Sequence, residues 1–313
     1  MIFLKNRLQK NKIWFISIAA IVVMSLCNPN FLSANNIQGL CESMMSYGVV
    51  AMGLTVCLIA GENNIAIGSI LAFSGMIFGS TISVIGLVPA MLLALILCAA
   101  FGLLDGYFVA YHKMPAFLMA VVFMISMRGL ALMVSKSQNI IITDTTFKAV
   151  SSLSIGPIPI LFLVMILLAV SIELVLRYTQ TGRNLFAVGG SADVAEACGL
   201  NVRRYKMLAL MFSFIMAGLG GIFLTTRLSS AIPSVGEDAI ITTLPIVVIG
   251  GTSINGGKGG TLQTLSGILL MYLLFNIMSM FNIYVNIQSL VKGLILLIIV
   301  VGDKYIINKN RRV

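Results

Sequence analysis

The chain is a series of apolar runs, most about 20 residues long, separated by short polar segments. A helix that crosses a bilayer needs about 20 mostly apolar residues, so each long run predicts one transmembrane helix. The pattern therefore predicts an all-α polytopic membrane protein with about ten transmembrane helices, within a range of eight to ten. The runs are 13–32, 43–60, 65–86, 88–111, 115–134, 157–177, 207–226, 239–250, 261–281 and 283–302.

Two polar, glycine-containing segments interrupt this pattern, one in each half of the chain. They are GENNIAIGS at 61–69 and GGTSINGGKGG at 250–260, and each lies between apolar runs. Irregular backbone at membrane depth is tolerated only where it faces protein or a watery cavity, and paired broken segments are typical of transporter centres. We therefore expect broken or re-entrant segments and a weak internal repeat.

Composition leaves no room for a sizeable soluble domain. Hydrophobic residues make up 59% of the chain and charged residues 10%, and the mean hydropathy is +1.05. A soluble domain usually carries about 25% charged residues, so residues 1–313 are treated as one transmembrane domain. The net charge of +10 indicates membrane lipid rather than nucleic acid as the contacting surface, because Lys and Arg flank the apolar runs.

The basic residues also predict the orientation. With a cytoplasmic N-terminus, the inner segments hold fifteen Lys and Arg and the outer segments three. This positive-inside bias predicts an even number of spans with both termini cytoplasmic, although it does not decide between eight and ten. It makes 135–156 an external loop and 178–206 a cytoplasmic loop.

The cytoplasmic loop contains a short helical pattern at about 193–198. Asp193 is the expected N-cap, with Glu196 at the third helical position, and Gly199 is the expected stop. On the pattern alone, this helix is either a docking element for a soluble partner or a surface helix that closes a long loop.

Motifs for catalysis and metal binding are missing from the sequence. GGTSINGGKGG fails as a phosphate-binding P-loop, because Gly257 stands where Lys is required and Gly259 follows Lys258 in place of Ser or Thr. The one histidine, His112, has no Ser-His-Asp partners, and the five cysteines form no CxxC pair. We therefore expect no enzyme activity, no catalytic residue, no metal and no cofactor in this chain.

Six segments, spread over residues 28–303, resemble the permease subunits of ribose-type bacterial ATP-binding-cassette (ABC) importers. That group also includes permeases for xylose, galactose, autoinducer-2 and nucleosides, with branched-chain amino acid permeases as distant relatives. The segments are NPNFLSANNIQGL, GENNIAIGSILAFSG, MPAFLMAVVFMISMRGLAL, TGRNLFAVGGSADVAEACGLNVRRYK, GGTSINGGKGGTLQTLSGILL and NIQSLVKGLILLIIVVGD.

The resemblance implies a permease in the cell inner membrane that translocates a small polar solute, with a monosaccharide favoured. It implies two ABC ATPase subunits that bind ATP and Mg²⁺, a periplasmic or lipid-tethered substrate-binding protein, and a second permease copy or paralogue. The loop 178–206 would contact the ATPase. Its implied coupling residues are Gly189, Gly190, Asp193, Glu196 and Gly199.

The chain departs from the family pattern in the first interruption. Relatives usually read G-G-I-D-L-S-V-G-S, whereas Asn64 replaces the aspartate here and Glu62 is new. These changes bear on the choice of solute or of partner subunit.

Polar residues within the apolar runs and their breaks are the candidates for the substrate pathway, because such groups are costly in lipid and usually face a cavity or the bundle interior. For Asn276 and Gln288, hydrogen bonds between helices are an equal alternative. Glu42, Glu173 and Lys292 lie near the ends of runs, where snorkelling is the simpler interpretation, and Arg128 lies within a run. The pathway candidates are Glu62, Asn63, Asn64, Ser69, Asp105, Asn276 and Gln288.

A second function remains open. An ion-coupled secondary transporter would use a buried acid such as Asp105 or Glu62 as its coupling site, and a ten-span repeat would also suit it.

Overall fold

The computed structural model describes residues 2–144, 147 and 153–310, and this part of the chain forms twelve α-helices and four two-residue strands. The first helices are α1 (Ile2–Cys27), α2 (Ala34–Ile59), α3 (Ile67–Ile85), α4 (Leu87–Tyr111) and α5 (Ala116–Ser135). The remaining helices are α6 (Ile160–Tyr178), α7 (Gln180–Gly190), α8 (Ala192–Ala197), α9 (Val202–Leu228), α10 (Ala239–Ile249), α11 (Thr261–Met280) and α12 (Val285–Asn310).

The helical elements confirm an all-α polytopic membrane architecture. Seven helices in the described part (α2 to α6, α9 and α11) are long and apolar enough to cross a bilayer. Three further apolar segments, Ile13–Leu26, Ala239–Ile249 and Val285–Ile298, are shorter. The count of about ten spans therefore stays a prediction.

Three helices form the interior of the bundle. The apolar stretches of α2, α3 and α9 are 83%, 72% and 67% buried, whereas those of α4, α5 and α6 are 22%, 22% and 28% buried. Helix α9 packs against α2, α3 and α4, and the main apolar core includes Leu71 of α3 and Phe214 of α9. A helix that is apolar on all sides is expected inside such a bundle or facing lipid, which accounts for both groups.

Both predicted interruptions are present. Helix α2 ends at Ile59 and α3 begins at Ile67, while α10 ends at Ile249 and α11 begins at Thr261. Helix α10 has 11 residues and contains Pro245. At 1.5 Å per residue it is about 16 Å long, roughly half of a 30 Å hydrocarbon core.

The predicted helix in the 178–206 loop is corrected by the structure. The loop holds two helices, α7 and α8, and the N-cap of α8 is Ser191, whose Oγ accepts the Val194 N–H at 3.4 Å. Asp193 therefore lies in the first turn and is not the cap, so that prediction was wrong. Gly199 ends the segment at φ +81°, as expected.

The predicted external loop is partly described, since residues 145, 146 and 148–152 lie outside the described residues. Strand β1 (Ile140–Ile141) pairs antiparallel with β4 (Ser230–Ala231), and β2 (Ser154–Ile155) pairs with β3 (Ile158–Pro159). The first pair fastens this loop to the segment that follows α9.

Candidate functional site

The two interruptions meet at the C-terminal end of α7. The Gly257 N–H donates to the Ile59 carbonyl oxygen at 3.0 Å, which joins the second interruption to the end of α2. Gly189 of α7 lies against Ile59, Gly61 and Gly256, and a Cβ on Gly189 would overlap the Ile59 oxygen. We call these five residues the glycine junction. It puts three segments of backbone in direct contact, which larger side chains would prevent.

Beside the glycine junction, Glu62 pairs with Lys206 of α9. The carboxylate and ammonium are 2.6 Å apart, and Glu62 is only 7% exposed. A cleft of about 300 Å³ opens here, and its lining also includes Lys113, Glu196 and Arg203. The structure thus brings Glu62, a predicted pathway residue, together with Glu196, a predicted coupling residue.

Of the two asparagines that follow Glu62 in the first interruption, Asn64 is buried and Asn63 is half-buried. The Asn64 side chain donates to Ser213 Oγ at 3.2 Å, and its Oδ1 accepts the Ala66 N–H at 3.0 Å. Asn64 therefore fixes the shape of the break and ties it to α9. The buried Asn63 Oδ1 has no hydrogen-bond partner among the described residues.

Ser69 lies apart from these groups, in a cleft of about 460 Å³ between α3, α5 and the segment before α10. Arg128 of α5 also lines this cleft and donates to the carbonyl oxygens of Pro233 and Val235. The guanidinium therefore holds the segment that leads into α10.

Asp105 lies close enough to Glu62 for the two charges to interact. It lies on α4, which packs against α9, and is 1% exposed. Its Oδ1 has no hydrogen-bond partner in the described part of the chain. Burying a carboxylate oxygen without a partner is costly. The unpartnered oxygen therefore keeps Asp105 a candidate functional group.

A third cavity, with mixed polar and aromatic walls, lies between α2, α10, α11 and α12. Its volume is about 400 Å³, and we call it the polar cavity. Asp238, which precedes α10, accepts from Lys292 Nζ at 2.8 Å, from the Tyr47 hydroxyl at 3.2 Å and from Thr242 Oγ1 at 3.3 Å. One carboxylate thus connects α2, α10 and α12.

Two predicted pathway residues, Asn276 and Gln288, line the polar cavity. The Asn276 amide exchanges hydrogen bonds with Asn36 at 2.8 and 3.2 Å, which joins α11 to α2. Gln288 donates to the Ile283 carbonyl oxygen at 3.0 Å. The position of Asn276 is compatible with both earlier interpretations, a hydrogen bond between helices and a place in the substrate pathway, since it links two helices and also lines the cavity.

Two charged residues that the sequence analysis interpreted as snorkelling, Lys292 and Glu173, lie mostly buried. Lys292 is 18% exposed, pairs with Asp238, and lies 5.1 Å from the centre of the Phe275 ring. Glu173 is 3% exposed, pairs with Arg177 and accepts from Thr261 Oγ1 and the Leu262 N–H, so that it caps α11. Both snorkelling interpretations were wrong, because each charged side chain is mostly buried and pairs with another residue of the chain.

Sequence reasoning missed Asp238, Tyr47 and Arg227, which line the polar cavity. Asp238 could have been found from its place just before the short apolar run 239–250, where a half-helix begins. The other two carry no local signal, since Tyr47 lies within an apolar run and Arg227 stands at the end of one.

In the part of the chain that the structure describes, no three His, Cys, Asp or Glu side chains lie close enough together to hold a metal ion. The expectation of no catalytic residue, metal or cofactor stays a prediction.

The chain matches the protein family described as the permease component of the branched-chain amino acid transport system, over residues 36–300. It is 30% identical to the ribose import permease protein of Haemophilus influenzae over 301 residues, covering 94% of this chain and 92% of that protein. No solved structure matches it.

Two further relatives agree. The ribose import permease protein of Bacillus subtilis is 31% identical, with 91% of this chain and 89% of that protein covered. The L-arabinose ABC transporter permease protein of Azospirillum brasilense is 29% identical, with 97% and 90% covered. Together with the helical architecture and the paired interruptions, these matches show that the chain belongs to the family of ABC importer permeases that includes the ribose permeases.

Proposed function

We propose that this chain is the membrane-spanning permease of an ABC importer that moves a small polar solute, a monosaccharide, across the cell inner membrane. Its relatives are named as ribose and arabinose permeases and align over nearly the full length of the chain. Energy comes from two separate ATPase subunits that bind ATP and Mg²⁺. The other partners are a periplasmic or lipid-tethered substrate-binding protein and a second permease copy or paralogue.

The glycine junction is the observation that supports this proposal best. Helix α7 touches both interruptions through backbone atoms, because Gly189 lies against Ile59 and Gly256. A displacement of α7 would therefore reach the ends of α2 and α10 and the starts of α3 and α11 without passing through flexible side chains. This is the mechanical connection that an ATP-driven permease requires between its cytoplasmic loop and its membrane helices.

The adjoining segment offers a surface for the ATPase. Asp193, Glu196 and Gly199 are exposed around α8, and the exposed Gly190 has open space beside its Cα. We assign α7 and α8, within the 178–206 loop, as the coupling element. This element and both termini lie on the cytoplasmic side in our proposal. ATP binding by the partners would shift the permease between outward-facing and inward-facing states through different affinities for the two.

Charge reversal on the coupling element tests this function. The variant Asp193→Lys with Glu196→Lys should reduce co-purification of the ATPase subunits at least tenfold, because exposed charges at a rim strongly affect association. Membrane insertion should be unchanged. The matched control, Glu237→Lys, changes an exposed acid that lies in the Ser69 cleft, and it should assemble normally. Equal assembly of both variants would contradict the coupling role.

One observation favours an ion-coupled secondary transporter instead. Asp105 is a buried carboxylate with an oxygen that lacks a partner among the described residues, and such groups often serve as proton sites. Glu62 fits that role less well, because Lys206 already neutralises it. If solute uptake follows a proton gradient without any ATPase and is abolished by Asp105→Asn, the secondary transporter is correct and the permease proposal fails.

A further inference from the structure

We propose that the polar cavity is a solute-binding site within the permease itself, and that it takes a neutral polyhydroxylated molecule of monosaccharide size. This inference rests on the proposed function and assigns the place where the solute pauses on its way through the membrane. At about 400 Å³ the cavity falls within the range of small-molecule sites, roughly 300–1,000 Å³.

The polar groups of the cavity match the hydrogen-bonding pattern of a sugar. Hydroxyl groups both donate and accept, so they need partners of both kinds. Asp238 accepts, Lys292 and Arg227 donate, and the amides of Asn276 and Gln288 can do both. A purely apolar solute could form hydrogen bonds with none of these groups.

A sugar site also needs aromatic surfaces, and two aromatic side chains of α11 provide them. Tyr272 and Phe275 lie about one turn apart on α11, with their ring centres 6.0 Å apart and the rings nearly perpendicular, and both line the cavity. The face of a sugar ring carries C–H groups, which pack against aromatic surfaces. Lys292 lies over the Phe275 ring in the structure, so a solute that displaced the ammonium would uncover that surface.

The charge balance favours a neutral solute. The Asp238 carboxylate already pairs with Lys292, while Arg227 donates to Ser43 Oγ at 3.0 Å and stands at the exposed rim. An anionic solute would have to approach the Asp238 carboxylate, and a cationic solute would meet Lys292 and Arg227. A neutral polyol meets neither repulsion.

The position of the cavity along the bundle fits a translocation step. Helix α10 is a half-length helix that begins directly after Asp238, and transporter sites commonly lie near the bilayer midplane where helices are broken. Along α2, Tyr47 is 12 residues from Ile59, or about 18 Å. The cavity and the glycine junction are therefore joined by one continuous, largely buried helix.

Protection of an introduced thiol tests the site directly. Ser279 is exposed and lines the polar cavity, so Ser279→Cys should react with N-ethylmaleimide in membrane vesicles containing the full chain. The background carries Cys27→Ser and Cys198→Ser, which leaves the buried Cys41, Cys57 and Cys98. The control is Ser83→Cys, an exposed position at the end of α3, outside the cavity.

The probes are the neutral sugars D-ribose, L-arabinose, D-xylose and D-galactose, and the anionic control is D-gluconate. We expect at least one neutral sugar at millimolar concentration to slow labelling of Ser279→Cys fivefold or more. Labelling of Ser83→Cys should be unchanged. Protection by gluconate alone, or by none of the probes, would overturn the inference.

A second variant checks that the carboxylate holds the solute. Asp238→Asn should raise the sugar concentration needed for half protection at least tenfold, whereas Glu237→Gln, the same change at the next residue, should alter it less than twofold. Equal effects of the two changes would contradict the assigned role of Asp238.

Thiol labelling needs neither ATPase subunits nor ATP, which separates this inference from the proposed function. If ATP-driven uptake is measured but no sugar protects Ser279→Cys, the intramembrane site is wrong and the permease function stands. If a sugar protects the thiol but no ATPase assembles, the site stands and the ABC function fails.

Discussion

Gly189 and Gly190 are adjacent in α7 but have opposite surroundings. A methyl group on Gly189 would collide with the Ile59 carbonyl oxygen and with Gly257, whereas a methyl group on Gly190 would meet nothing within 4 Å. The resemblance of this chain to the ribose-type permeases implies a coupling role for both glycines. The structure gives only Gly189 a steric reason.

At this scale we predict that Gly189→Ala destabilises the protein while Gly190→Ala does not. Backbone atoms must move to accept the new methyl group, and overpacking of this kind costs about 1–3 kcal/mol. The melting temperature of the purified permease should fall by several degrees for Gly189→Ala and by less than about one degree for Gly190→Ala. Equal melting temperatures would contradict the close approach of α7 to α2.

Single residues also show what the sequence could and could not provide. Asn276 and Gln288 could be selected because amides are rare in apolar runs. The partner of Lys292 could not, since Asp238 lies 54 residues away in sequence and only the folded bundle brings the two together. A charge within an apolar run indicates that a partner exists, but its identity comes from packing.

The helix boundaries could be predicted from the sequence where long apolar runs end at polar breaks. Backbone groups in a bilayer must be satisfied within the helix, so long apolar runs and their polar breaks translate directly into helices α2 to α6 and their interruptions. Helix α7 was missed because its 11 residues, Gln180–Gly190, include three glycines, which are poor helix formers. Its N-terminus is stabilised by Thr179, whose Oγ1 accepts the Gly182 N–H at 3.2 Å.

At the scale of elements we predict that Ser191, and not Asp193, holds the start of α8. Ser191→Ala removes an N-cap worth about 1 kcal/mol, which corresponds to roughly fivefold faster amide hydrogen exchange in residues 192–197. Asp193→Ala should change exchange there by less than twofold. If Asp193→Ala accelerated exchange as much as Ser191→Ala, the capping assignment would be wrong.

In the proposed orientation, the coupling element and the end of α3 lie on opposite sides of the membrane. Cys198 is exposed at the end of α8, and Ser83 is exposed near the end of α3. Helix α3 leads away from the first interruption, which touches α7. Since α3 is long and apolar enough to cross a bilayer, the proposed orientation puts these two positions in different compartments.

We therefore predict that a membrane-impermeant maleimide labels Ser83→Cys in intact spheroplasts and labels Cys198 only after the membrane is opened. The labelling background carries Cys27→Ser in both cases and Cys198→Ser for the Ser83 variant. Labelling of Cys198 in intact spheroplasts would place α8 outside and would contradict a cytoplasmic coupling role.

The most direct measurement of the central claim is uptake of labelled sugar into proteoliposomes that contain this permease, its ATPase subunits and its substrate-binding protein. With D-ribose or L-arabinose as the tested solutes, uptake should require ATP and Mg²⁺ on the ATPase side. It should persist when ionophores remove proton and sodium gradients, because the energy comes from the ATPase. Uptake that needs no ATP and disappears with the proton gradient would contradict the account.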